Sequence, residues 1–457
     1  MAESKLQQQE GAAPQEQAPV KPQAGKPISE LLKKHGGFRA LEAFMPDAAD
    51  MNPESVAAKK MFLNENQFKS KRQRLANDIK TWLEILSEDK ASASEYVDLC
   101  EKKRDKYLEL LKSNLAVAAY KTQKLETAYR SLDGFFKNAG AEKILNLRLV
   151  NVEKHNDNGE TDELQNSDSE SFKDIKSMLY NAYGRLSLRD NYSMLVLPGY
   201  VMKDKQVRDM WAKLGWEYKL LVLSDANNCR DFEVLHEQTE MYKDADKELQ
   251  NVVVTANWVV GRPSESIAGE MNPLYIPPSG ALAGKLWNPN LPMSQGAAGE
   301  KFGTLAEVKG ARLNLMKEEI TGLWDNQVVP MAFSEGRVMA YNNTNLYSGD
   351  NTAMREYPIV RVFDWVKKNL MHYVHKVALE NWDPYNSPAK LQRTLSNFLN
   401  EHKGHGRLFA NYTVGEPFQD PKTKEIKIDI DIIPFFAAKN FTIKLSADRN
   451  SKKCDTV

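Results

Sequence analysis

Two histidine pairs, His372 with His375 and His402 with His405, have the HxxH spacing that on a helix turns two imidazoles toward one metal ion. Neither pair carries the glutamate of an HExxH zinc site, and no cysteine set lies beside them, so both read as surface or interface residues. The Gly-rich stretch SGALAGKL (279–286) invites comparison with a phosphate-cradling loop, which needs GxxxxGK and then Ser or Thr. The loop amides wrap the phosphates there and the hydroxyl holds magnesium. Here Gly280 and Gly284-Lys285 enclose only three residues, and Leu286 stands in the hydroxyl position. No GxGxxG follows an expected strand. Ser193 and Ser279 lack the GxSxG elbow, and Cys100, Cys229 and Cys454 carry no nucleophile signature. Trp258, Trp287, Trp324, Trp365 and Trp382 fall in expected strands and amphipathic helices, where core or interface packing is the simpler use of an indole. The chain therefore reads as a non-enzyme without cofactor or metal. The rival reading is an α/β enzyme that binds a phosphorylated ligand in the Gly/Pro/Ser-rich residues 263–303.

All of these side chains must be carried by a large scaffold. With 457 residues and 51.9 kDa, the chain can bury at least one sizeable core. Lys plus Arg and Asp plus Glu both total 62, so no global field holds it on nucleic acid or an anionic membrane. Three widely spaced cysteines without CxxC fit a reducing compartment. The N-terminus has neither a basic n-region nor an apolar h-region, and no apolar run is long enough to span a bilayer. These features lead us to expect a cytoplasmic protein.

Five regions follow from composition and periodicity. Residues 1–26, rich in Gln, Pro, Ala and Gly, have too little apolar surface to order themselves. Residues 27–57 hold a short amphipathic segment with Leu31, Leu32, Phe38, Leu41 and Phe44 at near-helical spacing, interrupted at Gly36-Gly37. It either docks on its own domain or is presented to another protein. Residues 58–142 read as helical. Leu75, Ile79, Trp82 and Leu86 mark one stripe (58–90), and Val97, Tyr107, Leu111, Leu115 and Ala118 mark another (93–130). They form a helical hairpin or a packing surface for a partner helix.

Residues 143–354 are expected to form an α/β core: a strand in KILNLRLVNVEK (143–154), a polar loop, a helix at 172–184, then a strand-helix alternation. YSMLVLPGY, YKLLVLSD and NVVVTANWVV are strands, with helices in KDKQVRDMWAKLG and near 230–248. Near-continuous apolar strands separated by helices imply a parallel sheet covered on both faces. A short helix is expected near Ala281 to Leu286.

Residues 355–457 should begin with a strand running into a helix (355–379), then a second helix and the strand RLFANYTVGEP. In the closing segment Ile426, Ile428, Ile430 and Ile432 alternate with polar residues, and Phe441, Ile443 and Leu445 do so again. Two such strands need further partners to be stable in water.

The order of these elements resembles the type VI secretion contractile sheath large subunit, the TssC/VipB family. The resemblance is carried by ETAYRSLDGFFKNAGAEKILNLRLVNVEK, VLPGYVMKDKQVRDMWAKLGWEYKLLVLSDAN, NPLYIPPSGALAGKL and the segment from FDWVKKNLMHYVHK onward, roughly residues 125–446. Leu197-Pro198-Gly199 and Leu274-Tyr275-Ile276 depart from the family pattern and suggest a divergent branch, as in Bacteroidetes. The resemblance implies a sheath-type fold whose terminal strands join strands of neighbouring subunits. It implies as partners a small sheath subunit (TssB/VipA-like), other copies of this chain in a helical polymer, an Hcp-like inner tube and a baseplate. A ClpV-like AAA+ unfoldase would engage the segment around Leu31 to Phe44. A phage-type tail sheath protein, which builds its sheath from one chain, is the nearest alternative.

Overall fold

The computed structural model describes residues 66–88, 92–140, 146–152, 162–183, 188, 191–377 and 382–437. The chain divides into two units, Met1–Leu111 and Lys112–Val457. The segment containing Leu31, Leu32, Phe38, Leu41 and Phe44 lies outside the described residues, as do Phe441, Ile443 and Leu445.

In the first unit, α1 (Lys69–Ser87) follows a 3-10 turn, and α2 (Ala93–Ala139) begins. Leu75 and Ile85 are buried on α1. The Tyr96 hydroxyl donates to the Glu88 carbonyl (2.5 Å), and Lys103 pairs with Glu84 (3.3 Å). The two long helices expected from periodicity form, and the second runs on to Ala139.

In the second unit, α3 (Glu170–Tyr183) leads into β1 (Met194–Leu197), α4 (Lys205–Tyr218), β2 (Leu221–Asp225), α5 (Phe232–Glu240), β3 (Val252–Ala256) and β4 (Val259–Arg262). Next come β5 (Leu274–Ile276), α6 (Ser279–Trp287), α7 (Gly299–Gly303), α8 (Lys317–Asp325), β6 (Val329–Ser334) and β7 (Arg337–Ala340). A five-stranded sheet has the order β1-β2-β3-β6-β7, parallel except for β7. Strand alternation divides its apolar side chains between two layers. Val222, Val252 and Val254 face a core with Trp211, Leu235 and Leu323. Leu221, Leu223 and Val253 face another with Leu282, Leu286 and Val338. Both faces are covered, as the continuous apolar strands require.

Several sequence expectations are corrected. NVVVTANWVV is two strands, because Asn257 turns into the left-handed region (φ 73°). Its amide is held there by the carbonyls of Leu313 and Met331, 2.9 and 2.7 Å away. The β6–β7 hairpin, closed by left-handed Glu335 and Gly336, supplies two strands that composition alone did not mark. The helix near 230–248 ends at Glu240. The stretch from 355 is no strand; α9 (Tyr357–Val377) starts at once, with Tyr357, Ile359, Val360 and Val362 all buried on a helix. Residues 146–152, expected as a strand, form none.

α2 is tied to β4 by charge. Arg262 is buried and pairs with Glu126 (2.8 Å) and Glu270, and Arg130 also holds Glu126 (2.8 Å). Burial raises the Glu126 carboxyl, but the two guanidiniums outweigh it and hold the group below its ordinary value. A depressed folded pKa gives stability that is present above the unfolded value, about 4.3, and is lost as pH falls through the folded one. The Tm advantage of the native chain over Glu126→Gln should therefore shrink as pH is lowered below about 4 in thermal melts.

Candidate assembly interface

The closing elements are α10 (Ser387–His402), β8 (Asn411–Val414), β9 (Phe418–Gln419), β10 (Ile426–Lys427) and β11 (Ile430–Ile433). The isoleucine-rich strand expected over 426–432 is broken at Ile428, and its pieces pair antiparallel with strands upstream. Ile430 lies opposite Val414 and Ile432 opposite Tyr412, while Ile426 lies opposite Gln419. One edge of the terminal segment is thus satisfied inside the chain. Among the described residues, neither β8 nor β11 has a second neighbouring strand.

The alternation read from sequence decides which face is buried. Ile430 and Ile432, with Tyr412 and Val414, pack on Val362, Val366, Trp365, Leu399 and Phe409. The Tyr412 hydroxyl donates to the Ser396 carbonyl (2.8 Å) and the Gln392 amide to that of Val414 (2.9 Å), fixing the hairpin on α10. His402 belongs to this platform: its ring meets those of Trp365 and Phe398 edge-on, each at 4.9 Å. Among the described residues no cluster of three or more His, Cys, Asp or Glu could hold a metal. The outer side differs. Phe418 (61% exposed), Ile433 (54%) and Phe436 (60%) are large apolar groups facing solvent beside open strand edges, the arrangement that soluble proteins avoid unless another chain covers it.

α2 presents a second apolar surface. Ser131 and Asn138 face α6 and are buried, whereas Leu115, Leu125, Tyr129 and Phe136 are exposed. With Ala118, Thr122 and Leu132 these residues recur at alternating spacings of four and three, a heptad seam. The sequence stripe through Val97, Tyr107, Leu111 and Leu115 is likewise exposed.

The Gly-rich stretch 279–286 is helix α6, with Gly280 in its first turn and Gly284 inside it, so the glycines sit at helical spacing and do not form a phosphate loop. Its start is held by a residue that sequence reading missed. The fully buried Asp225, at the end of β2, accepts from the Ser279 amide (2.8 Å) and hydroxyl (2.6 Å), the Gly199 amide (2.7 Å) and the Thr255 hydroxyl (2.5 Å). An aspartate closing an otherwise apolar strand, LLVLSD, was the signal available. Burial pushes this carboxyl up to about 6, with the two hydroxyls and two amides pulling it back. Ser279 and Thr255 are themselves wholly enclosed. The constellation looks catalytic in composition, yet its hydroxyls are spent as donors and the Asp225, Ser279 and Thr255 side chains are all enclosed. It is a staple joining three strand ends to a helix N-terminus.

Among the described residues no helix is long and apolar enough to cross a membrane. Comparison with curated proteins gives no match. Among solved structures, the anti-feeding prophage baseplate, 6-fold symmetrised, is 17% identical over 70% of this chain and 81% of that one, with a TM-score of 0.49. The anti-feeding prophage helical sheath in its contracted state is 17% identical over 70% and 82%, with a TM-score of 0.47. The PVC sheath complex of an extracellular contractile injection system, contracted, is 15% identical over 60% and 75%, with a TM-score of 0.43. Family models match along the chain. The TssC/VipB-like N-terminal region covers residues 26–115, the type VI secretion system TssC/VipB central domain 117–348, and the TssC/VipB-like C-terminal domain 356–456. The chain belongs to the TssC/VipB family of the type VI secretion system, as the large subunit of a contractile sheath.

Proposed function

We propose that this chain co-polymerises with a smaller sheath subunit around an inner tube, on a baseplate, and contracts to drive the tube forward. The observation that carries this reading is the C-terminal hairpin, a two-stranded sheet fixed on α9 and α10, with no further strand beside it among the described residues and with exposed Ile433 and Phe436. Strand addition to such an edge links subunits through main-chain hydrogen bonds, and alternating isoleucines set the register. Phe441, Ile443 and Leu445 would supply a strand to a neighbouring subunit in the same way. Contacts of this kind are head-to-tail and do not close, so they propagate a helix of subunits. Work comes from the metastable extended lattice, whose subunits repack on contraction. The seam on α2 offers the smaller subunit a helical contact. The segment from Leu31 to Phe44 serves as the handle for a AAA+ unfoldase that recycles the contracted polymer.

Negative-stain microscopy of the chain expressed alone and with the small subunit tests this reading. Tubes should require both partners and vanish when the chain is truncated after Gln419. Deleting residues 1–46 should leave tubes intact and abolish unfoldase capture. A dispersed monomer indifferent to the truncation would overturn the proposal.

A further inference from the structure

Residues 147–152, LRLVNV, have the composition of an interior strand without a sheet. Leu147, Leu149 and Asn151 would lie on one face and Arg148, Val150 and Val152 on the other, so each face carries two apolar residues and one polar one, more than a strand with one solvated face needs. The segment instead runs without regular structure. Leu147 (42%), Leu149 (62%) and Val150 (42%) are exposed. Among the described residues, the backbone groups of Leu147, Arg148, Leu149 and Val150 take part in no ladder and no other main-chain hydrogen bond. Four consecutive peptide groups, three of them carrying exposed apolar side chains, form a template for strand addition.

We propose that Leu147–Val152 is a strand completed by a second, different polypeptide of the sheath, through a β-strand that is apolar on both faces and carries a carboxylate opposite Arg148. This inference rests on the two-component reading above. A copy of this chain offering the same segment would either pair antiparallel, isologously, and close into a two-fold dimer, whereas a sheath requires contacts that do not close, or pair parallel in register and set Arg148 beside Arg148. Arg148 supplies the charge argument. It is exposed, forms no ion pair among the described residues and is the one charged residue in the run, so an acidic residue across the ladder would satisfy it and fix register.

Hydrogen exchange read by mass spectrometry tests the proposal on the intact chain, alone and in tubes formed with the small subunit. The amides of 147–150 should exchange at the rate of open chain in the lone protein and slow by about 100-fold or more in tubes, as paired strands do. Arg148→Glu should leave thermal unfolding of the lone chain unchanged. It should weaken co-purification with the small subunit by about five- to ten-fold, the effect of opposing like charges across a ladder. Protection already present in the lone chain would overturn the proposal and point to a cover from the chain itself, such as residues 441–446. Tubes in which these amides still exchange fast would overturn it while leaving the two-component reading standing. Failure to form tubes with any small subunit would overturn that reading and this one together.

Discussion

Asp225→Ala should lower the unfolding free energy of the chain by about 3–5 kcal/mol, the scale for removing one side of a buried, hydrogen-bonded charge. The loss is large because four donors converge on the carboxylate: the amides of Gly199 and Ser279 and the hydroxyls of Thr255 and Ser279. All would be left facing a void, each at about 1–3 kcal/mol if no water enters. Asp225→Asn is milder but not neutral. Wherever its NH2 group lies, a backbone amide of Gly199 or Ser279 faces it, while the hydroxyls can turn to accept. About 1–3 kcal/mol should be lost. The pH dependence distinguishes a carboxylate from a mere filler of space. The folded pKa, pushed up to about 6, lies above the unfolded value, so the native state binds the proton first. This group's contribution to stability is then fully present below about pH 4 and is lost as pH rises through about 6. The gap between the native chain and Asp225→Ala in urea unfolding should widen between pH 7 and pH 4. A constant gap would mean that the carboxyl does not titrate in the folded chain over that interval.

Gly284→Ala should cost about 3 kcal/mol, the upper end of the overpacking range. A methyl group there would overlap the Phe135 carbonyl oxygen on α2, and one at Gly280 would lie 2.5 Å from the Ser131 carbonyl oxygen. Neither obstacle is a side chain that can swing aside. Gly134 completes the crossing from the other helix, with Ala281 at contact distance. Gly280 and Gly284 thus let α6 lie directly on the α2 backbone, and the Asn288 side chain at the end of α6 donates to the Asn138 carbonyl (3.0 Å). Gly310→Ala is the control: the nearest atom to its added methyl is 3.5 Å away, so its urea midpoint should shift by no more than about 0.5 kcal/mol in equivalent free energy. Equal effects at Gly284 and Gly310 would remove close backbone approach as the reason for the glycine. These two tests concern the platform on which the interface stands, so loss of tubes in either variant would follow from loss of fold.

Sequence by itself determined the elements whose side chains repeat with one period over a sufficient length. The helices α1, α2 and α4 and the inward face of Ile430 and Ile432 were legible because periodic apolar residues have one way to leave water, and β1, β2 and β3 because short continuous apolar runs between helices fit a strand buried on both faces. It also disqualified SGALAGKL as a phosphate loop, since that chemistry demands fixed spacing. What the sequence left open depended on neighbours far along the chain. Asn257 splits a continuous apolar run because carbonyls of Leu313 and Met331 hold it left-handed. The terminal isoleucines find Tyr412 and Val414 rather than remaining an unpaired strand. Asp225 is an ordinary strand-end aspartate until Gly199, Thr255 and Ser279 arrive around it from three other segments. LRLVNV has every local property of a strand and forms none within the described chain. Periodicity is a property of one segment, whereas pairing, enclosure and burial of a charge require a second surface, and only tertiary structure brings that surface to the residue.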